Sequence, residues 1–177
     1  MHWQWRSKVK KHFLTAWVSA AVFFVSLSAY AETTNELAIA TKPGDPIHLI
    51  VHKSPTCGCC LGWMTHMDNH GFSTTGHHPE QLTQLKLDKG VELRYQSCHT
   101  AVSPRGFVFE GHVPAKFVRQ FLANVPDQAL GLSVPGMPVG SPGMEVGDKF
   151  MPYQVLLLKK DGNHEVFAQV DTAADQR

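Results

Sequence analysis

The sequence predicts one α/β domain, a sandwich of short strands and helices, and three observations predict it. An alternating apolar run at 47–51 leads through a cysteine cluster into an amphipathic helix at about 59–69. Strand and helix patterns then continue to alternate as far as Asn124. Two last strand patterns, 153–158 and 165–170, flank Lys160-Asp161-Gly162-Asn163, which reads as an antiparallel hairpin appended at the C-terminus.

In the first strand, Ile47, Leu49 and Val51 share one face and His48, Ile50 and His52 the other. Ser54-Pro55-Thr56 turns the chain. Cys60, Trp63, Met64 and Met67 then recur at helical spacing, and Gly71 ends that helix. Residues 72–75 are a second strand. Pro79 at a first helical turn, with Leu82, Leu85 and Lys86 behind it, predicts a second helix closed near Gly90. Between Thr100 and Glu110 the pattern is strand, Ser103-Pro104-Arg105-Gly106 turn, strand. Pro114 opens a third helix with Phe117, Val118, Phe121 and Leu122 on its apolar stripe. Residues 130–152 carry four prolines and five glycines, so they read as one long irregular loop. A loop of that length in a compact domain is functional or disordered, and Leu132, Val134, Met137, Val139 and Met144 argue that it packs.

The N-terminus belongs to targeting. Arg6, Lys8, Lys10 and Lys11 precede an apolar run at 13–27, and Ala29-Tyr30-Ala31 supplies the small residues of a cleavage site. This predicts a signal peptide at 1–31 and an exported chain. The rival, an uncleaved anchor, has too short a run for the roughly 20 residues of a span. A flexible leader follows at 32–46, then the domain at 47–170 and a polar tail at 171–177. Removing the four basic residues leaves 12 Lys plus Arg against 15 Asp plus Glu, so the formal charge changes from +1 to −3. The precursor's basicity is a targeting feature, and no basic stripe for nucleic acid remains. No other segment is apolar enough to insert stably in a bilayer.

Chemistry concentrates in Cys57-Gly58-Cys59-Cys60 and in Cys98-His99. Cys57 and Cys60 have the C-x-x-C spacing of a dithiol at a helix start, where thioredoxin-like proteins keep a redox pair and the helix dipole favours thiolate. Cys59 is unnecessary for dithiol exchange but raises the density of soft ligands, which suits Cu(I), zinc or an iron–sulfur centre. Two structural disulfides, common in small exported domains, are the third reading. Metal site, redox site and structural staple all stay open on the residues alone.

Nine of the 11 histidines follow residue 31. His99 adjoins Cys98, and His112 lies between a strand and the Pro114 helix start, a boundary that faces the active site in thiol folds. His48 with His52, His66 with His70 (an i,i+4 pair), and His77 with His78 read first as solvated or hydrogen-bonded side chains. Met137 and Met144 sit in Pro135-Gly136-Met137-Pro138 and Pro142-Gly143-Met144-Glu145, either as soft thioether ligands or as plugs under the loop. No nucleophile elbow, phosphate loop or His-Glu-x-x-His is present. No carboxylate stands out by apolar flanks that would raise its pKa.

Four segments in order carry a family resemblance. They are Ser54-Pro55-Thr56-Cys57-Gly58-Cys59-Cys60, Ser97-Cys98-His99-Thr100-Ala101, Glu110-Gly111-His112-Val113-Pro114, and the stretch from Val134-Pro135-Gly136-Met137 to Gly143-Met144-Glu145. Together they resemble the CopG-like periplasmic copper-resistance proteins, over nearly the whole span 47–170. The resemblance implies a thioredoxin-like domain of the periplasm associated with copper-efflux components, binding copper and handling it by redox change or transfer. It implies Cys57, Cys59, Cys60 and Cys98 as Cu(I) ligands, one or several ions in a thiolate cluster, with Cys57 and Cys60 as the redox pair. His99 and His112 match the family's histidine motifs, and Met137 and Met144 belong to its methionine loop as lid or auxiliary ligands. The alternatives are a general thiol–disulfide oxidoreductase acting on proteins, and a disulfide-stapled binding domain.

Overall fold

The computed structural model describes residues 44–177; the expected signal peptide at 1–31 and most of the expected leader at 32–46 lie outside the described residues. Its elements are β1 (Ile47–Lys53), α1 (Gly58–Asn69), β2 (Phe72–His77), α2 (Leu82–Asp88), a 3-10 turn at Leu93–Tyr95, β3 (His99–Val102), β4 (Val108–Gly111), α3 (Ala115–Ala123), β5 (Ala129–Val134), β6 (Tyr153–Lys159) and β7 (His164–Val170). All strands join one seven-stranded sheet in the order β2-β1-β3-β4-β5-β6-β7. The β1–β2 and β4–β5 pairs are parallel and the other four antiparallel.

Alternation along the strands assigns each face. Leu49, Val51, Ala101, Phe109, Val155 and Leu157 receive Trp63 and Met67 from α1 and Phe117, Val118 and Phe121 from α3. On the opposite face Val108, Leu156 and Leu158 pack with Val91 and Tyr95, under the segment that follows α2. Burying a large apolar side chain is worth about 1.5–3 kcal/mol, so the face covered by α1 and α3, with Trp63 and the buried Phe72, Phe109, Phe117 and Phe121, is the principal core. Among the described residues no helix is long and apolar enough to cross a membrane.

Three expectations change. Residues 130–152 are not one irregular stretch, because β5 occupies Ala129–Val134 and the loop proper is 135–152. Gly131, read as a breaker, instead permits close packing: a Cβ there would stand 1.8 Å from the Val108 carbonyl oxygen. The C-terminal hairpin is not an appendage either, since β6 pairs with β5 from Ala129↔Lys159 to Ser133↔Leu156 and extends the main sheet. Finally, Pro79 lies before α2, whose N-cap is Gln81.

Gly131→Val should therefore break the β4–β5 contact and cost about 3 kcal/mol or more, as overpacking against backbone does. Urea unfolding of the variant against the parent measures it; a midpoint within error of the parent would refute the close-packing account.

Candidate metal centre

The register of β1 against β3 assembles the site. Lys53 pairs with His99 across these antiparallel strands, so residues just after β1 and just before β3 emerge at one end of the sheet. Cys57 is the N-cap of α1, and Cys59 and Cys60 lie in its first turn. Cys98 immediately precedes β3.

Cys57 and Cys60 form a disulfide, while Cys59 and Cys98 are free. Cys59 Sγ lies 3.4 Å from Cys57 Sγ and 3.9 Å from Cys98 Sγ, and Cys60 Sγ lies 3.5 Å from Cys98 Sγ. All four sulfurs fall within 4.8 Å of one another, as does a second set made of Cys98, His99 and His112. Cys98 belongs to both. Its sulfur is 3.3 Å from His99 Nδ1 and 3.1 Å from His112 Nε2.

The histidines are prepared as nitrogen donors. His112 Nδ1 lies 2.9 Å from the Pro142 carbonyl, which can only accept, so Nδ1 carries the proton and Nε2 presents its lone pair to Cys98. A carbonyl on the remote ring nitrogen is the usual support of a metal-binding histidine. His99 is fully buried against Trp63, ring centroids 4.5 Å apart, and its Nε2 finds no partner among the described residues. Burial holds both imidazoles below the ordinary histidine range; for His99 the neighbouring His112 and Lys86 add to it. They are neutral at physiological pH. Burial first, then Cys59, pushes the Cys98 thiol up to about 12. The two free thiols and two neutral imidazoles, with the sulfurs of Cys57 and Cys60 added when their disulfide opens, make a soft-to-borderline donor set, fit for Cu(I) or zinc and poor for calcium or magnesium.

The loop 135–152 closes one side. Pro142 bonds to His112, and a Cβ on Gly143 would stand 2.5 Å from Trp63 N and 2.6 Å from the Cys59 carbonyl, so only glycine fits there. Near its start, the Gly136 carbonyl accepts a hydrogen bond from Ser97 Oγ, one residue before Cys98. Met144 is half-buried and Met137 is 53% exposed.

The other histidine pairs have partners elsewhere. His66 Nε2 accepts the Ala115 N–H at 3.1 Å, anchoring the start of α3, and its pKa falls to about 4 through burial and the neighbouring His70. His70 Nδ1 is 2.7 Å from the His66 carbonyl oxygen. His48 meets Ser73, His78 meets the Lys53 carbonyl, and His52 packs edge-on to His77.

One group escaped the sequence reading. Glu110, fully buried, does have its carboxyl raised by burial, contrary to the expectation that no carboxylate is set off; Phe107-Val108-Phe109 before it was the available signal. It pairs with buried Lys86 at 2.6 Å. Lys86 fell at an apolar position of the predicted α2, which hinted at burial but named no partner.

The family model described as "Protein of unknown function, DUF411" matches residues 95–144. Two solved structures, "Copper resistance protein copG" in forms 1 and 2, are each 40% identical to this chain over 71% of its length. The matches cover 98% and 99% of those chains, with TM-scores of 0.66 and 0.67. No curated protein matches.

With the disulfide closed, iodoacetamide at pH 8 should alkylate Cys98 slowly. A thiol held at about 12 is almost wholly protonated at that pH, so its rate should fall more than about tenfold below that of an unperturbed cysteine even after allowance for the greater nucleophilicity of a more basic thiolate. The rate should still be rising with pH above 10. Peptide mass spectrometry measures it, and a rate matching a model thiol would contradict the burial of Cys98.

Proposed function

Because the chain belongs to the family of the copper resistance protein CopG, we propose that it is a periplasmic copper-binding protein. Cu(I) is its cargo, held by Cys57, Cys59, Cys60 and Cys98 once the disulfide is opened. The observation that carries this reading is the convergence of four sulfurs within 4.8 Å of one another. A dithiol exchanger needs two of them; Cys59 and Cys98 have no role in that chemistry and a clear one as soft ligands. Bridging by four thiolates supports more than one ion. His112 Nε2 and His99 supply nitrogen at the Cys98 side, and the loop 135–152 acts as a lid whose Met137 and Met144 are auxiliary thioethers.

Redox handling follows from the disulfide. Opening Cys57–Cys60 takes two electrons and two protons and yields two thiols, which then lose protons to become ligands. Closing the pair gives up two electrons, those that reduce two Cu(II) to two Cu(I), so the pair and the cargo match in stoichiometry; reopening it draws two electrons from a reducing dithiol of the same compartment, which leaves as its disulfide. The thiols regained at Cys57 and Cys60 complete the soft site, and closing the disulfide withdraws half of its sulfurs. Loading and release are thereby tied to the state of one bond. The exported compartment is supported by the signal-like N-terminus and by a disulfide in the resting site. Efflux components of the same compartment are the partners this reading calls for.

A second reading has its own observation. The placement of Cys57–Cys60 at the start of α1, after the central strand β1 of the order β2-β1-β3-β4, is compatible with a thioredoxin-like frame and supports thiol–disulfide exchange on protein substrates. It predicts a trapped mixed disulfide with Cys60→Ser and turnover of a dithiol substrate without metal.

The deciding experiment titrates the reduced protein with Cu(I), desalts it anaerobically and counts metal and thiols. At least one copper per chain should remain, zinc should not displace it, and Cys98→Ser should lose more than half. Preoxidation of Cys57–Cys60 should lower retention in the same way. Protein that keeps no copper after desalting would overturn the proposal, and metal-free dithiol turnover would then favour the exchanger.

A further inference from the structure

The polar groups of one residue, Ser97, are all engaged, and two of them are held by a buried ion pair that the metal chemistry does not use. Ser97 N donates to Glu110 Oε1 at 2.6 Å. Lys86 Nζ donates to the Ser97 carbonyl at 2.7 Å and to the same Glu110 oxygen at 2.6 Å. Ser97 Oγ donates to Gly136 at the start of the loop. Lys86 and Glu110 are 2% and 0% exposed, so neither reaches water for an alternative partner. The residue clamped in this way is joined directly to Cys98.

We infer that Lys86 and Glu110 are positioning residues that set where the Cys98 thiol stands relative to the Cys57-Gly58-Cys59-Cys60 turn. Cys98 comes from a different element than the other three thiols and lacks the helix that orients them. Backbone freedom at Ser97 would carry its sulfur away from Cys59 at 3.9 Å and Cys60 at 3.5 Å. A salt bridge that only fastened α2 to the sheet would need Lys86 and Glu110 alone. Here both side chains also bond the main chain of the residue next to the thiol, on its N–H and its carbonyl. The position of Cys98 is thus delegated to a cation on α2 and an anion on β4.

The inference rests on the copper reading for its consequence but not for its test, which is made without metal. In a Cys57→Ser/Cys59→Ser background only Cys60 and Cys98 remain, and equilibration with glutathione measures their effective concentration toward one another. Each closure reduces one glutathione disulfide to two glutathiones. Lys86→Met/Glu110→Met removes both charges with apolar side chains of similar volume, an exchange that buried ion pairs often tolerate. It should lower the effective concentration at least about tenfold, with the circular dichroism of the parent. If that variant does not fold, Lys86→Met/Glu110→Gln, which keeps an oxygen for the Ser97 N–H, should show a smaller fall in the same measurement. An effective concentration within threefold of the parent in the folded variant overturns the inference.

A second arm uses the four-cysteine protein. The Met/Met variant should lose the same share of copper as Cys98→Ser, and combining the two should lose no more, because both act through one thiol. Additive loss overturns the inference as well. Failure of the parent to hold any copper would instead strike the proposed function and leave the glutathione result standing.

Discussion

The site depends on a strand register. Pairing Lys53 with His99 places the end of β1 beside the beginning of β3, so both connections leave the sheet at the same end of its strands. From one comes the turn with Cys57, Cys59 and Cys60; from the other comes Cys98. A shift of one residue would send every side chain of β3 to the opposite face and carry His99 out of the core beneath Trp63. The register is in turn held by burial, since Leu49, Val51, Ala101 and Phe109 must all face α1 and α3. Packing in the core and geometry at the sulfurs are the same constraint seen from two ends of one sheet.

Electrostatics work against that packing and are answered locally. Lys86 and Glu110 are both buried, and removing one partner from such a pair typically costs about 3–5 kcal/mol although the pair as a whole adds little. Such an arrangement is poorly explained as a source of stability. Its attachment to both backbone groups of Ser97 gives it a geometric meaning. The histidines follow the same logic: burial keeps them neutral, and the Pro142 carbonyl selects the tautomer of His112 that turns a lone pair toward Cys98.

The loop 135–152 belongs to the site as much as the helix does. It leaves β5 beside Ser97, comes back to lay Pro142 on His112 and Gly143 on the first turns of α1, and is tied at Gly140 to Gln176 near the C-terminus. An irregular backbone satisfies its polar groups here through partners spread over several elements. That fixes the loop against His112, Ser97 and the first turns of α1, beside the thiols.

Much of this was legible in the chain itself. Hydrophobic alternation located β1, β6 and β7, helical spacing located α1 and α3, and the density of thiols in Cys57-Gly58-Cys59-Cys60 marked the chemistry before any coordinates. These signals are local, and local periodicity survives in a linear text. β5 was hidden because Gly131 counts as a breaker unless one knows that the Val108 carbonyl lies against it. The Lys86–Glu110–Ser97 clamp, the tautomer of His112 and the nearness of Cys98 to Cys60 are set by residues 11 to 38 positions apart. Local order in the chain determined that three thiols would stand together within four residues; only the folding of one sheet decided which atoms meet, because distance between remote residues exists only once the chain has closed on itself.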